Sequence, residues 1–141
     1  MSEKPQINVL MLLWSKTHAI NKKMDASLGA IHGIGFAEYM ALHQLNAAPQ
    51  SMIRRIDLAN QLHRSASGIT KMLNPMEKIG LVSRETNPRD ARVSLVRLTQ
   101  AGRQTHQQAT NTLVQLTAEV FAQLDGADTE TLHGLLDGIR S

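Results

Sequence analysis

Two short helical patterns in the centre of the chain, separated by only a few residues, most constrain what this sequence can fold into. Within residues 54–80, the apolar residues Ile56, Leu58, Ala59 and Leu62 form one face, and Ile69, Met72, Leu73 and Met76 form another. Ser65 precedes the second pattern at the position of an N-cap, where its hydroxyl can accept a hydrogen bond from the amide of Ser67 or Gly68. The sequence therefore predicts two crossing helices joined by a tight turn.

This arrangement is typical of a helix-turn-helix, which needs a small residue on the inner side of its first helix. Ala59 meets that need. The turn usually contains glycine, and here His63 takes its place; histidine reaches the left-handed backbone region more readily than branched residues do. Pro75 falls inside the second helix, where its ring clashes with the carbonyl of Lys71, so we expect a kink there.

A second helix of this kind presents its first turns to a DNA groove. The residues in position to do so are Ser65, Ser67, Gly68, Thr70 and Lys71. Short hydroxyls contact phosphates or base edges, glycine lets the backbone approach closely, and lysine supplies charge. Any one of these residues alone is more simply explained as a capping or solvent-facing residue. Their joint placement after a tight turn is what predicts a DNA contact.

Two strand patterns follow the second helix. Residues 81–85 and 93–98 alternate in polarity, and the segment 86–92 between them contains the turn-favouring pair Asn87-Pro88, which predicts a hairpin. Arginines stand on and beside this hairpin, at Arg84, Arg89, Arg92, Arg97 and Arg103. On a loop beside a recognition helix, Arg89 or Arg92 can enter a minor groove. Asp90 is expected to pair with Arg92 or Arg84 and to orient it. A solvated, charged hairpin tip is the alternative.

Charge is distributed unevenly along the chain. Residues 54–103 carry a net charge of +6, whereas residues 1–53 carry +1 and residues 104–141 carry −4. A basic centre between near-neutral and acidic ends is the electrostatic footprint of a polyanion-binding unit whose flanking segments have another task.

The flanking segments are predicted to be helical. An apolar seam from Ile7 to Leu28 predicts a helix over about residues 6–28, glycines from Gly29 onward predict a break, and a second helix ends near Leu45. Residues 109–124 and 132–139 repeat the helical spacing, and Thr129 or Asp128 can cap the last helix. Because these helices are apolar on one side, we expect residues 1–48 and 104–141 to pair with each other and with a second copy of the chain. Packing back onto the centre of the monomer is the alternative.

At 141 residues the chain is long enough for one domain, within which residues 49–103 form the helix-turn-helix and hairpin. The fold class predicted is mainly α with a small antiparallel β wing. The absence of cysteine excludes disulfides and thiolate chemistry. The longest apolar run, residues 9–14, is far shorter than the roughly 20 residues of a membrane span, so a cytoplasmic location is expected. The six histidines are not spaced as metal ligands on one helical turn, and no catalytic motif is present, so no enzyme, metal or cofactor is expected.

These motifs together resemble the MarR family of bacterial transcription regulators. The residues that carry the resemblance are Leu58-Ala59, the segment 65–73, the segment 76–85 (MEKIGLVSRE), the segment 87–92 (NPRDAR) and the segment 98–102 (LTQAG). The sequence departs from the family pattern at Asn87, where Asp is frequent, at Lys71, where Arg is frequent, and at Pro75.

The resemblance implies a homodimeric winged helix-turn-helix repressor. One dimer is expected to span a pseudo-palindromic operator, with its recognition helices in successive major grooves. It assigns the minor groove to Arg92, with Asp90 as its brace. It also implies release of DNA by a small aromatic or phenolic ligand, for which Trp14, His18, Tyr39 and Arg54 are the candidate pocket residues; core packing is the alternative for Trp14 and Tyr39. Two other functions stay open. One is a winged helix that contacts an acidic protein, and the other is a non-specific DNA-coating protein, which a specificity ratio separates.

Overall fold

The computed structural model describes residues 4–141. Across these residues the chain forms six α-helices and three strands. The helices are α1 (Pro5–His32), α2 (Phe36–Ala47), α3 (Arg55–Gln61), α4 (Ala66–Lys78), α5 (Gln100–Val120) and α6 (Gly126–Asp137). The strands are β1 (Met52–Arg54), β2 (Val82–Asn87) and β3 (Asp90–Leu98), with a short 3-10 turn at Pro49–Ser51 before β1. The predicted class, mainly α with a small antiparallel sheet, is confirmed.

The three strands form one antiparallel sheet in the order β1-β3-β2. Strand β3 lies in the middle, with Val96 opposite Ile53 of β1 on one side and opposite Arg84 of β2 on the other. The sequence predicted β2 and β3 but not β1. A three-residue strand is too short to show alternation, and its pairing with β3 across more than 40 residues leaves no local pattern.

Helix α1 is longer than predicted. It runs through Gly29 and ends at Gly33, whose φ of +70° is left-handed and whose amide donates to the Gly29 carbonyl over 3.1 Å. The break predicted from Gly29 onward is therefore present, but it begins at Gly33 and not at Gly29. A glycine inside a helix costs only about 1 kcal/mol relative to alanine. The buried side chains of Met24 and Leu28 hold this end of the helix against the core.

One continuous core joins the terminal helices to the helix-turn-helix. Leu28 of α1, Leu42 of α2, Leu58 of α3, Leu73 of α4 and Val96 of β3 are all fully buried in it. The alternative in which the terminal helices pack on the centre of the monomer is thus realised in part. It applies to the C-terminal half of α1, to α2 and to the first half of α5.

The N-terminal half of α1 and the whole of α6 are different, because their apolar residues face solvent in a single copy of the chain. Exposed apolar side chains on these two helices include Ile7, Leu10, Met11, Trp14, Leu135 and Leu136, with Ile139 following α6. None of the residues of α6 is buried. Trp14 is 66% exposed, so the alternative that it packs in the core is wrong for the monomer. For Tyr39, which is 5% exposed, core packing is confirmed.

The last helix is capped one turn earlier than predicted. Asp125 is the N-cap of α6, and its carboxylate accepts a hydrogen bond from the amide of Asp128 over 2.7 Å. The Asp128 carboxylate accepts from the Asp125 amide in return, over 3.2 Å. Asp128 is therefore a member of a reciprocal capping box rather than the cap itself, and Thr129 lies inside the helix.

Helices α2 and α5 are joined by polar contacts along their common face, which we call the polar seam. It consists of three pairs, Tyr39–Thr110 at 2.7 Å, His43–His106 at 3.0 Å and Asn46–Arg103 at 3.1 Å. The Thr110 hydroxyl donates to the His106 carbonyl, so the Tyr39 hydroxyl is the donor to Thr110. Burial, the charge of the neighbouring His43 and the charge of Arg103 lower the pKa of His106.

The link between α2 and the sheet contains two consecutive residues with left-handed backbone, Gln50 (φ +59°) and Ser51 (φ +53°). Such a conformation is unfavourable for residues other than glycine. Two arginines hold it in place. Arg103 donates to the Ser51 hydroxyl over 2.9 Å, and Arg97 donates to the Gln50 carbonyl over 3.4 Å.

Within residues 4–141, no helix is both long enough and apolar enough to cross a membrane.

Candidate nucleic-acid interface

Helices α3 and α4 form the predicted helix-turn-helix. Leu58 and Ala59 on the inner side of α3 are buried, as a close crossing of two helices requires. His63 lies in the turn with φ of +56°, the left-handed conformation expected at that position. The tight turn is closed by the amide of Arg64, which donates to the Ala59 carbonyl over 2.9 Å.

Ser65 caps α4 as predicted. Its hydroxyl oxygen accepts a hydrogen bond from the Gly68 amide over 3.0 Å and lies 3.3 Å from the Ser67 hydroxyl. A Cβ added at Gly68 would lie 3.1 Å from the Ser65 hydroxyl oxygen, so the cap itself already favours glycine there. The cap leaves the first turn of α4, with Ser65 and Ser67, exposed to solvent.

The remaining groove-facing candidates on α4 differ in how available they are. Lys71 is exposed. Thr70 is half-buried, and its hydroxyl donates to the Ala66 carbonyl over 3.0 Å and accepts from Arg55 Nη1 over 3.1 Å. The sequence reading missed Arg55, whose bond to Thr70 joins α3 to α4 across the turn. Helix α4 continues through Pro75 as one element to Lys78, and the predicted kink stays a prediction.

The hairpin is tighter than predicted. Its strands extend to Asn87 and start again at Asp90, so Pro88 and Arg89 alone form the turn. The expectation that residues 90–92 belong to the loop is therefore wrong, and they begin β3. The Asn87 side-chain carbonyl accepts from the Arg89 amide over 2.8 Å, which stabilises the turn. The pairing register of β2 and β3 shifts between Thr86 and Asn87, next to the turn.

Asp90 pairs with Arg92 and not with Arg84. Its carboxylate accepts from the Arg92 amide over 3.0 Å, from Nε over 3.1 Å and from Nη2 over 3.3 Å. These bonds hold the pKa of Asp90 below its usual range. The side chain of Arg92 is nevertheless 91% exposed, so its outer edge faces solvent. A fixed direction combined with full exposure is what a groove-reading arginine needs.

The other three arginines of this segment are bound to the protein. Arg84 lies against α4, Arg97 pairs with Glu85 over 2.7 Å, and Arg103 belongs to the polar seam. The Arg97 guanidinium holds the pKa of Glu85 below its usual range. Arg89 and Arg92 are left as the exposed cations of the wing, which is the hairpin formed by β2 and β3.

The four residues proposed for a small-molecule pocket do not line one cavity within a single copy of the chain. Arg54 lines a cavity of about 630 Å³ between α2 and α3, and Tyr39 lines one of about 360 Å³ among α1, α2 and α5. Trp14 and His18 line neither, and their rings contact each other on the exposed face of α1, with centroids 4.3 Å apart and ring planes inclined by 38°. These two cavities do not bring the four residues together, and a common pocket stays a prediction.

Arg54 is also not a free cation. Its Nε donates to Asp57 Oδ2 over 2.9 Å and its Nη2 donates to Asp57 Oδ1 over 3.2 Å. The pairing lowers the pKa of Asp57 and raises that of Arg54. An anionic ligand in this cavity would have to share Arg54 with that carboxylate.

Comparison with known proteins gives a consistent result. The sequence profile of the MarR family matches residues 37–94, which include the helix-turn-helix and part of the wing. The uncharacterized HTH-type transcriptional regulator YdgJ of Bacillus subtilis is 27% identical over 122 residues, 86% of this chain and 73% of that protein.

Solved structures share the fold. A MarR family transcriptional regulator from Streptomyces coelicolor, solved in complex with DNA, superposes with a TM-score of 0.86 at 22% identity over 97% of this chain and 86% of that one. Wild-type MarR from E. coli, in its apo form, superposes with a TM-score of 0.76 at 26% identity over 90% of this chain and 92% of that one. The family resemblance drawn from the sequence is confirmed.

Proposed function

We propose that this chain, which belongs to the MarR family, is a sequence-specific DNA-binding repressor that acts as a homodimer on a pseudo-palindromic operator. Family membership argues against an enzyme, as expected from the sequence. The observation that carries the proposal is the braced and exposed Arg92 on a wing attached to the exposed face of α4. A cation held in one direction by Asp90 loses little freedom when it enters a groove.

The proposed roles follow the geometry. Helix α4 enters a major groove and offers Ser65, Ser67, Gly68 and Lys71 to phosphates and base edges, while Arg92 and Arg89 enter the flanking minor groove. We assign Thr70 a role through Arg55 and the backbone, because its hydroxyl proton is donated to the Ala66 carbonyl and one of its two lone pairs accepts from Arg55.

A dimer is proposed because of the exposed apolar side chains on α1 and α6. A second copy of the chain would cover them, with residues 1–48 and 104–141 as the dimerisation segments and residues 49–103 as the DNA-binding lobe. Two recognition helices one helical turn apart would then read an inverted repeat. Such a regulator would act in the cytoplasm, where bacterial DNA lies.

Release by a small aromatic or phenolic anion is the further part of the proposal. The cavity beside Arg54 lies between α2 and the first helix of the helix-turn-helix. A ligand there would change the spacing between α2 and the DNA-binding lobe. The ligand would have to compete with Asp57 for Arg54, which predicts that Asp57→Asn strengthens the binding of an anion such as salicylate. Isothermal titration of the two proteins compares the affinities directly.

The experiment that tests the main proposal is enrichment of a random duplex library on the purified protein at near-physiological salt, followed by sequencing. Recovery of an inverted repeat with half-sites about 10 base pairs apart supports a dimeric sequence-specific regulator. Retention of duplexes without a motif would indicate a non-specific DNA-coating protein, and no retention would indicate a winged helix that binds an acidic protein.

A further inference from the structure

We propose that Arg84 is a positioning residue that fixes the wing to the recognition helix, and that it does not itself contact DNA. This inference rests on the proposed function for its effect on DNA, but the latch it describes can be measured on the protein alone. We call the three residues Arg84, Asn74 and Glu77 the wing latch.

The wing latch joins β2 to the last two turns of α4. The Arg84 Nη2 donates to the side-chain carbonyl of Asn74, and the Arg84 amide donates to Glu77 Oε2 over 3.1 Å. The Arg84 Nε lies 3.8 Å from Glu77 Oε1. One strand residue therefore holds two helix residues that are three positions apart, with its backbone and with its side chain.

The surroundings of Arg84 do not suit a phosphate contact. Its side chain is only 24% exposed, against 91% for Arg92. Its Nε is buried and has no hydrogen-bond partner within the described part of the chain. The nearby Glu77 carboxylate offsets the charge of the guanidinium. To reach a phosphate, Arg84 would have to leave Asn74 and abandon an ion pair that is partly shielded from water.

The position of the latch explains what it controls. Arg84 lies near the middle of β2, where it contacts α4, and Arg92 lies on β3 just beyond the hairpin turn. Movement of β2 relative to α4 would carry Arg92 away from its groove while the recognition helix stays in place. The latch therefore sets the spacing between the two DNA-contacting elements, which have to enter adjacent grooves together.

The first test is hydrogen–deuterium exchange of the free protein. Arg84→Gln and Asn74→Ala should each speed amide exchange in residues 85–93 several-fold, while α5 exchanges as in the wild type. Lys78→Gln, at the end of α4 but outside the latch, is the matched control. Unchanged exchange in the wing of both latch variants would overturn the proposal. Two latch variants are used so that one can replace the other if it does not fold.

The second test is the affinity for the selected operator as a function of salt. Arg84→Gln should weaken binding about tenfold without changing the slope of log affinity against log salt, because no phosphate contact is lost. Arg84→Lys should bind the operator as weakly as Arg84→Gln does, because an ammonium group cannot replace the planar guanidinium that bonds Asn74. The double variant that carries Arg84→Gln and Glu77→Gln should lose about as much affinity as Arg84→Gln alone.

The outcomes separate the two proposals. A slope reduced by about 1 in Arg84→Gln, together with rescue by Arg84→Lys, would mean that Arg84 contacts phosphate directly and would overturn its positioning role. Unchanged operator affinity would overturn it as well. If the wild-type protein selects no operator, the proposed function fails, and the exchange experiment alone then decides whether the latch exists.

Discussion

Asp90 accepts three hydrogen bonds from Arg92, one from its backbone amide and two from its guanidinium, although the two residues are only two positions apart. The brace directs a side chain that is otherwise almost fully exposed. Both elements of the arrangement, direction and exposure, come from a five-residue stretch around the hairpin turn.

Replacing Arg92 with alanine should weaken operator binding by roughly 1–3 kcal/mol, because a groove contact and its charge are lost together. Fluorescence anisotropy with the selected duplex measures the change. Lys16→Ala, which removes an exposed cation from α1 outside the DNA-binding lobe, is the control and should bind as the wild type does. Equal losses in the two variants would mean that only overall charge matters, and no loss in Arg92→Ala would remove Arg92 from the interface.

Gly102 should not tolerate alanine. A Cβ there would lie 2.1 Å from the Leu81 carbonyl oxygen, where α5 begins beside the strand β2. Displacing backbone in a packed region costs typically 1–3 kcal/mol, so Gly102→Ala should lower the free energy of unfolding by about that amount in a denaturant titration. Gly134→Ala is the matched control, because a Cβ there meets nothing within 4 Å. In the interior of α6 it should leave stability unchanged or raise it, and similar destabilisation by both variants would contradict this account.

Trp14→Glu should shift the protein from dimer to monomer at micromolar concentration. A charge placed on the exposed apolar part of α1 would be buried without a partner in the proposed dimer, which costs several kcal/mol. Sedimentation velocity measures the shift, and far-UV circular dichroism should show unchanged helix content. Ile79→Glu is the control. It introduces the same charge at a side chain that is 63% exposed, against 66% for Trp14, but that lies just after α4 and outside the proposed interface. A dimer that survives Trp14→Glu would move the interface elsewhere.

The thermal stability of the protein should fall as the pH drops below about 6.5. Burial, His43 and Arg103 all lower the pKa of His106 in the folded protein below its ordinary value of 6.5. The unfolded chain then takes up a proton on His106 at a higher pH than the folded chain does. The stabilisation is fully present above the ordinary pKa and is lost as the pH falls from there through the lowered pKa.

Melting temperatures measured between pH 7.5 and 5 check this expectation. His106→Gln can still donate or accept at the position of the ring nitrogen but does not titrate, so its melting temperature should depend less on pH. His133→Gln, on the exposed surface of α6, should keep the wild-type dependence. The same dependence in all three proteins would remove His106 as its cause.

The parts of the structure that the sequence could predict are those whose physics is local. Ser65 caps a helix that starts at the next residue, His63 takes the left-handed conformation of the turn, and Asp90 binds a side chain two residues away. Each of these depends on neighbouring residues, and their order along the chain is sufficient to identify them. The family resemblance rests on the same local motifs.

The parts it could not predict depend on contacts between distant segments. Arg84 looked like one more cation of the wing, and only the packing of β2 on α4 reveals that it is bound to Asn74 and Glu77. The strand β1 exists because β3 pairs with it. Trp14 and Arg54 were expected in one pocket, but Trp14 lies on the exposed face of α1 and Arg54 lines a cavity between α2 and α3, which their places in the sequence do not show.

The polar seam between α2 and α5 limits how these two helices can move. Its three pairs are spaced like the turns of the helices, so all of them are satisfied in one register only. A small slide would leave the buried Tyr39 hydroxyl and the buried His106 ring without their partners. Axial motion between α2 and α5 would therefore cost hydrogen bonds from the start, and the seam holds the two helices in one register.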